Sequence, residues 1–281
     1  MLDVTFYGVR GSTPCPCDGN VRYGGNTACV TVESPGQEPL VLDLGTGLRS
    51  WGLTQPTDGS FRGSALLTHI HWDHVQGLPF FAPIDRVGAR LDIYGPVQEG
   101  GISLEQAFDD FMRPPYFPVQ ATDLRGEIVF HDLDHADIVV GDTKVKIRPV
   151  PHCGPTNGYR IERDGTSVAY ISDHQSPRDG SHSVADSVLE LCDGADLLIH
   201  DAQYTPEEWA ERSHWGHCTV DYAVTVAREA GARRLVLFHH DPSHDDDMVD
   251  RLLEGARQRA AACGVDEVIA AYEGLTVTLG G

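Results

Sequence analysis

Residues 64 to 74 read Ser64-Ala65-Leu66-Leu67-Thr68-His69-Ile70-His71-Trp72-Asp73-His74. The SALLT run reads as a buried strand, and chemistry begins where it ends. Residues i and i+2 of an extended chain point to one side, so His69 and His71 aim together, while a following helical turn presents Asp73 and His74. Four candidate metal ligands therefore converge within six residues. Histidines can sit on a polar loop without further purpose, but three of them with an aspartate at this spacing behind an apolar strand rarely arise by chance.

Further candidates end other predicted strands. His152 closes KVKIRPVPH, Asp173 closes SVAYISD and His239 closes RLVLFH. Strand ends can deliver all three to the sheet edge that carries the 69–74 cluster, and an edge that collects His and Asp is a metal site. Taken singly, Asp173 could equally cap a helix after it, and His239 could be a hydrogen-bonded core histidine.

The rest of the chain supplies a scaffold of mixed type. β-branched and aromatic enrichment predicts strands over 2–9, 28–34, 39–44 and 64–68, then near 90–94, 127–131, 144–150, 157–162 and 166–171. A short helix is expected over 48–53 and a helical insert around 103–112. From 184 onward helices (184–192, 219–230, 245–262) alternate with strands (196–200, 234–239, 267–271, 274–279). Arg113-Pro114-Pro115-Tyr116-Phe117-Pro118 cannot be regular helix, because proline removes donors and clashes with the preceding turn. No linker or repeat interrupts this order, so residues 1–281 are expected to form a single α/β domain.

Composition narrows the partners. Lys+Arg 21 against Asp+Glu 42 gives a formal charge of -21, the only lysines are Lys144 and Lys146, and the arginines are scattered apart from Arg233-Arg234. Such a surface repels phosphate backbones, so a nucleic-acid polymer is a disfavoured partner. No stretch nears the ~18 apolar residues of a membrane span, and the start lacks the regions of a signal peptide. The 7 cysteines are dispersed, and Cys15-Pro16-Cys17 lacks the second pair that a zinc finger needs. A soluble cytoplasmic protein with reduced thiols and no membrane partner is expected.

Taken with Asp43 in VLDLGTG, these residues give the chain a resemblance to the metallo-β-lactamase superfamily over nearly its whole length. The resemblance implies an αββα sandwich, two mixed sheets flanked by helices, and a binuclear metal centre. His69, His71 and His152 would bind one ion, Asp73, His74 and His239 the second, and Asp173 both. Asp43 would steady the histidine loop by hydrogen bonding. The family's last ligand directly follows its hydrophobic strand, which selects His239 over His240. His240 then becomes a packing or substrate-side residue, and His174 a pocket-wall residue. Two divalent ions would activate water at neutral pH, which makes Asp73 a catalytic residue as well as a ligand. The imidazole and carboxylate set favours zinc, with manganese or iron as alternatives. His71 stands where the redox-active di-iron branch has glutamate, so a hydrolase is expected.

Within the superfamily, Val75-Gln76-Gly77-Leu78-Pro79-Phe80-Phe81, His200-Asp201-Ala202-Gln203-Tyr204 and Trp215-Gly216-His217-Cys218-Thr219 resemble the phosphodiesterase branch, which includes ribonuclease Z and the phosphoribosyl cyclic phosphodiesterases. By that resemblance Asp201 would orient His217, which protonates the leaving oxygen. The alternative is that Asp201 merely ends a strand and His217 caps a helix beginning near Thr219. The Gly8–Pro14 and Tyr23–Thr27 loops also resemble this branch and could line a pocket, although turn chemistry explains their glycines equally well. The extended basic arm by which ribonuclease Z holds tRNA has no counterpart here. The expected substrate is a small phosphodiester such as a cyclic nucleotide. An acyl hydrolase (lactone, thioester or lactam), a tRNA-processing endonuclease and a non-hydrolytic sensor are the competing readings. Phe111, Tyr116 and Phe117 in the 100–125 segment are expected to form either an apolar lip for a base or sugar or a homodimer contact.

Overall fold

The computed structural model describes residues 1–280. The chain runs β1 (Leu2–Gly8), β2 (Cys29–Glu33), β3 (Leu40–Leu42), α1 (Gly47–Gly52), β4 (Arg62–Leu66), α2 (Trp72–Val75), β5 (Arg90–Gly95), α3 (Leu104–Phe111), β6 (Glu127–Asp132) and β7 (Ala136–Val140). It continues through β8 (Thr143–Pro149), β9 (Asn157–Arg163), β10 (Thr166–Ile171), α4 (Asp186–Cys192), β11 (Leu197–Asp201), α5 (Pro206–Arg212), α6 (Val220–Glu229), β12 (Arg234–Phe238), α7 (Asp246–Ala261), β13 (Glu267–Ala270) and β14 (Thr276–Leu279). Two seven-stranded mixed sheets form, in the orders β14-β1-β2-β3-β4-β5-β6 and β13-β12-β11-β10-β9-β8-β7.

The side-chain pattern explains the layers. β1 buries every second residue, and Val4, Phe6, Val30 and Leu42 of the first sheet share one core with Ile147, Tyr159, Tyr170 and Phe238 of the second. Burying a large apolar side chain is worth roughly 1.5–3 kcal/mol, so this inter-sheet layer joins the two halves. β10 and β11 are buried along their whole length, as parallel strands covered on both faces must be. Their outer face lies under α4, α6 and α7, through Val188, Val226 and Ala256, while Trp51 of α1 and Phe108 of α3 cover the first sheet. The result is the αββα sandwich.

Parallel register brings the chemistry to one edge. Ile171 of β10 lies opposite His200 of β11, and Asp201 lies opposite Phe238 of β12, so the residues leaving these strands emerge side by side. On the first sheet Leu42 lies opposite Leu66, which sets Asp43 beside the segment from Thr68 to His74.

The expected strands over 39–44 and 234–239 stop early, at Leu42 and Phe238, because Asp43 and His239 take φ of 60° and 61°. That left-handed conformation ends an extended chain. β7 and α5 were not anticipated. α5 does carry a readable start signal, a capping box between Thr205 and Glu208 with Pro206 inside the first turn. Among the described residues no helix is long and apolar enough to cross a membrane.

Candidate metal centre

His69 and His71 lie beyond β4, α2 carries Asp73 and His74, His152 follows β8, and Asp173 and His239 leave β10 and β12. Their donor atoms meet in one place. His69 Nε2 lies 2.8 Å from His71 Nδ1, and His152 Nε2 lies 3.3 Å from that same atom. His239 Nε2 is 3.1 Å from Asp73 Oδ2 and 3.2 Å from His74 Nε2. Asp173 stands between the two groups: its Oδ1 is 3.8 Å from both His69 Nε2 and His152 Nε2 and 3.5 Å from His239 Nε2, and its Oδ2 is 3.2 Å from His74 Nε2.

Partners on the far side turn His74, His152 and His239. His74 Nδ1 donates to Asp43 Oδ2 at 2.8 Å, His152 Nδ1 to the Gly216 carbonyl at 2.6 Å, and His239 Nδ1 to Gln203 Oε1 at 2.9 Å. Asp43 also accepts from the Thr68 backbone N–H and the Tyr170 hydroxyl, each at 2.8 Å. A ring with its hydrogen on Nδ1 presents a bare lone pair at Nε2. In that form His74 and His239 aim two lone pairs at each other across 3.2 Å, beside two carboxylates. Asp173 Oδ2 is buried with no hydrogen-bond partner among the described residues. Acceptors gathered without a donor call for a cation, and the spacing suits one: zinc bonds of about 2.0 Å in a tetrahedron set nitrogens about 3.3 Å apart. The residues fit divalent metal.

Protonation agrees with that fit at His69, His152 and the two carboxylates. At His74 burial is outweighed by the carboxylates of Asp173, Asp73 and Asp43, which raise the pKa well above the ordinary range, so that ring must give up a proton to take a metal. Burial pushes His69 well below the ordinary histidine range and His152 down to about 4. Burial alone would raise Asp73 and Asp173, but His74 and His239 overcome it and both carboxyls are held well below their usual range. Neutral imidazoles and ionised carboxylates are the forms that bind metals. Backbone approach completes the packing: a Cβ on Gly11 would run into the His239 ring, and one on Gly216, at φ 94°, into His152.

Beside the donors stands a histidine held by a carboxylate. His217 Nδ1 lies 3.0 Å from Asp201 Oδ2 and 3.7 Å from Asp173 Oδ1, and its ring stacks on His239 with centroids 5.0 Å apart. Asp201 also accepts from the backbone N–H groups of His174 at 2.9 Å and Gln203 at 3.0 Å. Burial opposes a charge on His217, but Asp201 outweighs it and the pKa lies above its ordinary value. The cap of α6 is Thr219, whose Oγ1 accepts from Tyr222 N, so His217 is free of that duty. Asp173 caps nothing either, since the next helix begins at Asp186.

A cleft of about 290 Å³ opens against His69 and His71, walled by Gln98, Glu99, Ile102 and Cys153. A roomier hollow of about 710 Å³ beside Trp209, Tyr222 and Arg259 contains none of the seven donors. The expected aromatic lip is corrected: Phe111 packs on Phe108, Phe117 meets Phe80, Tyr116 faces solvent, and from 100–125 it is Ile102 that reaches the cleft. His174 is no pocket wall. It is buried behind Asp201 with its Nδ1 3.0 Å from His200 Nε2, because its backbone is drawn in to bond that carboxylate. His240 packs on Tyr23 and donates from Nε2 to the Ala271 carbonyl.

Several contributors went unassigned from sequence. The Ser12 N–H donates to Asp73 Oδ2 at 2.7 Å, Thr68 and Tyr170 hold Asp43, and Gln203 holds His239. Ser12 and Gln203 do lie in stretches whose resemblance was visible. Tyr170, inside an apolar strand, carries no such signal.

Residues 60–240 match the beta-lactamase superfamily domain, so the chain belongs to that superfamily and is an enzyme of its metallo-β-lactamase hydrolase family. It is 27% identical to ribonuclease Z of Methanosarcina acetivorans over 305 aligned positions, covering 92% of this chain and 93% of the relative. Among solved structures, a diphosphatase from the PhnP family aligns with TM-score 0.70 and 21% identity over 100% of this chain and 98% of that one. Zn(2+)-bound PqqB from Methylobacterium extorquens aligns with TM-score 0.70 and 20% identity over 99% and 100%. At these identities the two structures establish the fold alone.

Proposed function

We propose that this enzyme hydrolyses a small phosphodiester, such as a cyclic nucleotide, at a centre of two divalent ions, with zinc favoured and manganese or iron as alternatives. The observation that carries the reading is the Asp201–His217 pair set against the donor cluster. A ribose-type alkoxide leaves poorly unless it is protonated, whereas an activated acyl group has less need of a separate acid. Similarity to ribonuclease Z supports the chemistry, on a fold shared with a zinc-bound protein and a diphosphatase.

When bound, the ions supply hydroxide at neutral pH and positive charge for the phosphoryl oxygens. His69, His71 and His152 would hold one position, Asp73, His74 and His239 the other, and Asp173 both. Asp201 engages Nδ1 of His217, so the proton given to the leaving oxygen departs from Nε2, and the carboxylate supports the imidazolium until then. Asp43 keeps the His74 hydrogen on Nδ1 and so keeps Nε2 available. A panel of bis-p-nitrophenyl phosphate, a cyclic nucleotide and a simple lactone, each with and without chelator, tests the reading. Chelator-sensitive hydrolysis of both phosphodiesters supports it, and lactone turnover alone overturns it.

A tRNA-processing endonuclease is the second reading, favoured by the likeness to ribonuclease Z. Against it stand the charge of -21 and a cleft whose one charged wall residue among the described residues is Glu99. Cleavage of a precursor tRNA in preference to the small diesters would put it first.

A further inference from the structure

Gln203 is 1% exposed and ties separate parts of the site together. Its backbone N–H donates to Asp201 Oδ1 at 3.0 Å, and its side-chain Oε1 accepts from His239 Nδ1 at 2.9 Å. Its amide nitrogen donates to Ser12 Oγ and Tyr204 Oη, each at 3.3 Å. Both hydroxyl oxygens can accept from the nitrogen, and with the amide so placed its oxygen faces the ring. His239 must then carry its hydrogen on Nδ1 and present Nε2 bare toward Asp73 and Asp173.

His239 depends on that contact. It lies at φ 61° just beyond β12, and the Gln203 bond is its one side-chain hydrogen bond outside the donor cluster among the described residues. The other supported rings lean on a carboxylate, for His74, on a main-chain carbonyl, for His152, or on the Thr68 hydroxyl, for His69. For His239 the support is a single neutral side chain.

We infer that Gln203 is a positioning residue that sets His239 for the second metal position through its amide, while its backbone holds the Asp201 that orients His217. The inference rests on the two-metal reading above. Because the main-chain bond to Asp201 survives any ordinary substitution, side-chain variants isolate the metal-positioning role.

The test titrates metal-free parent, Gln203→Met and Gln203→Glu with zinc against a chromophoric chelator. Cobalt(II) spectra report the ligand field, and thermal melting of the metal-free proteins reports the fold. Methionine keeps the length and loses the acceptor; glutamate keeps the acceptor. The parent should bind two ions. Gln203→Met should bind the first as the parent does and the second about 10- to 100-fold more weakly, with an altered cobalt spectrum and an unchanged melt. Gln203→Glu should return the second affinity to near the parent value. Parent-like binding of both ions by Gln203→Met would overturn the inference, as would equal weakening of both ions with a lowered melt, or a glutamate variant as weak as the methionine one. A parent that binds one ion at most would instead refute the two-metal reading itself.

Discussion

His217 Nδ1 donates to Asp201 Oδ2 at 3.0 Å, and both side chains are buried. That contact leaves Nε2 as the atom able to deliver a proton, so the two residues should matter most where the leaving group needs one. His217→Ala is expected to slow cyclic-nucleotide hydrolysis by roughly 10² to 10⁴-fold. Nitrophenolate leaves without a proton, so turnover of bis-p-nitrophenyl phosphate should stay within about tenfold of the parent at unchanged metal content. Asp201→Asn should show the same selectivity more mildly. Equal losses on both substrates would mark His217 as structural.

The convergence of seven donors implies about two ions per chain, countable by elemental analysis of protein purified without chelator. Asp173→Ala should lower both occupancy and activity, since this carboxylate faces both groups of nitrogens. Asp43→Asn should weaken metal binding about 10- to 100-fold, because asparagine tolerates the left-handed backbone but offers His74 no anionic acceptor. A parent that stays at one ion or fewer after zinc or manganese reconstitution would contradict a binuclear centre.

Glu99 in the cleft wall should select against substrates with a second phosphate. Like charges about 4 Å apart in water repel by about 1 kcal/mol, roughly a fivefold effect. Glu99→Lys reverses the sign and should raise kcat/KM for a dinucleotide over bis-p-nitrophenyl phosphate by about tenfold, a gain that fades as salt screens it. A ratio unchanged at low salt would remove Glu99 from selectivity. The parent should show no tRNA binding by fluorescence anisotropy at physiological salt, and tight, salt-sensitive association would favour the endonuclease.

Away from the centre, Arg148 binds the Glu190 carboxylate through hydrogen bonds of 2.9 and 2.7 Å and holds its pKa down at about 2. A carboxyl depressed in the folded state contributes fully above its unfolded pKa, about 4.3, and progressively less as pH falls toward the folded value. The gap in melting temperature between parent and Glu190→Gln should therefore be widest near neutrality and narrow in acid. A gap independent of pH would show that the carboxylate charge contributes nothing.

The convergence of donors was legible because β4, β10 and β12 are apolar runs that end abruptly in His or Asp, and parallel strands deliver their ends to one edge. The partners behind the donors were not. Tyr170 reaches Asp43 across a sequence separation of 127, and nothing in the SVAYIS run distinguishes its hydroxyl from that of any core tyrosine. Aromatic content misled at 111–117, where Phe111 and Phe117 found Phe108 and Phe80 as neighbours. A count of apolar residues cannot tell a cleft from the flank of a helix, and tertiary packing makes that choice.

His69, His71, Asp73 and His74 hang from one sheet and His152, Asp173 and His239 from the other. Ions held among them would act as rivets through a sandwich whose halves otherwise adhere mainly by their apolar faces. Neither half owns a full set of ligands, so metal affinity belongs to the closed sandwich. Stripping the metal would then open a seam as well as silence a reaction. The first amide hydrogens to exchange with water would be those at the joint, where Ser172 Oγ meets Thr68 Oγ1 at 3.3 Å and the Asn157 N–H donates to the Thr68 carbonyl at 2.8 Å.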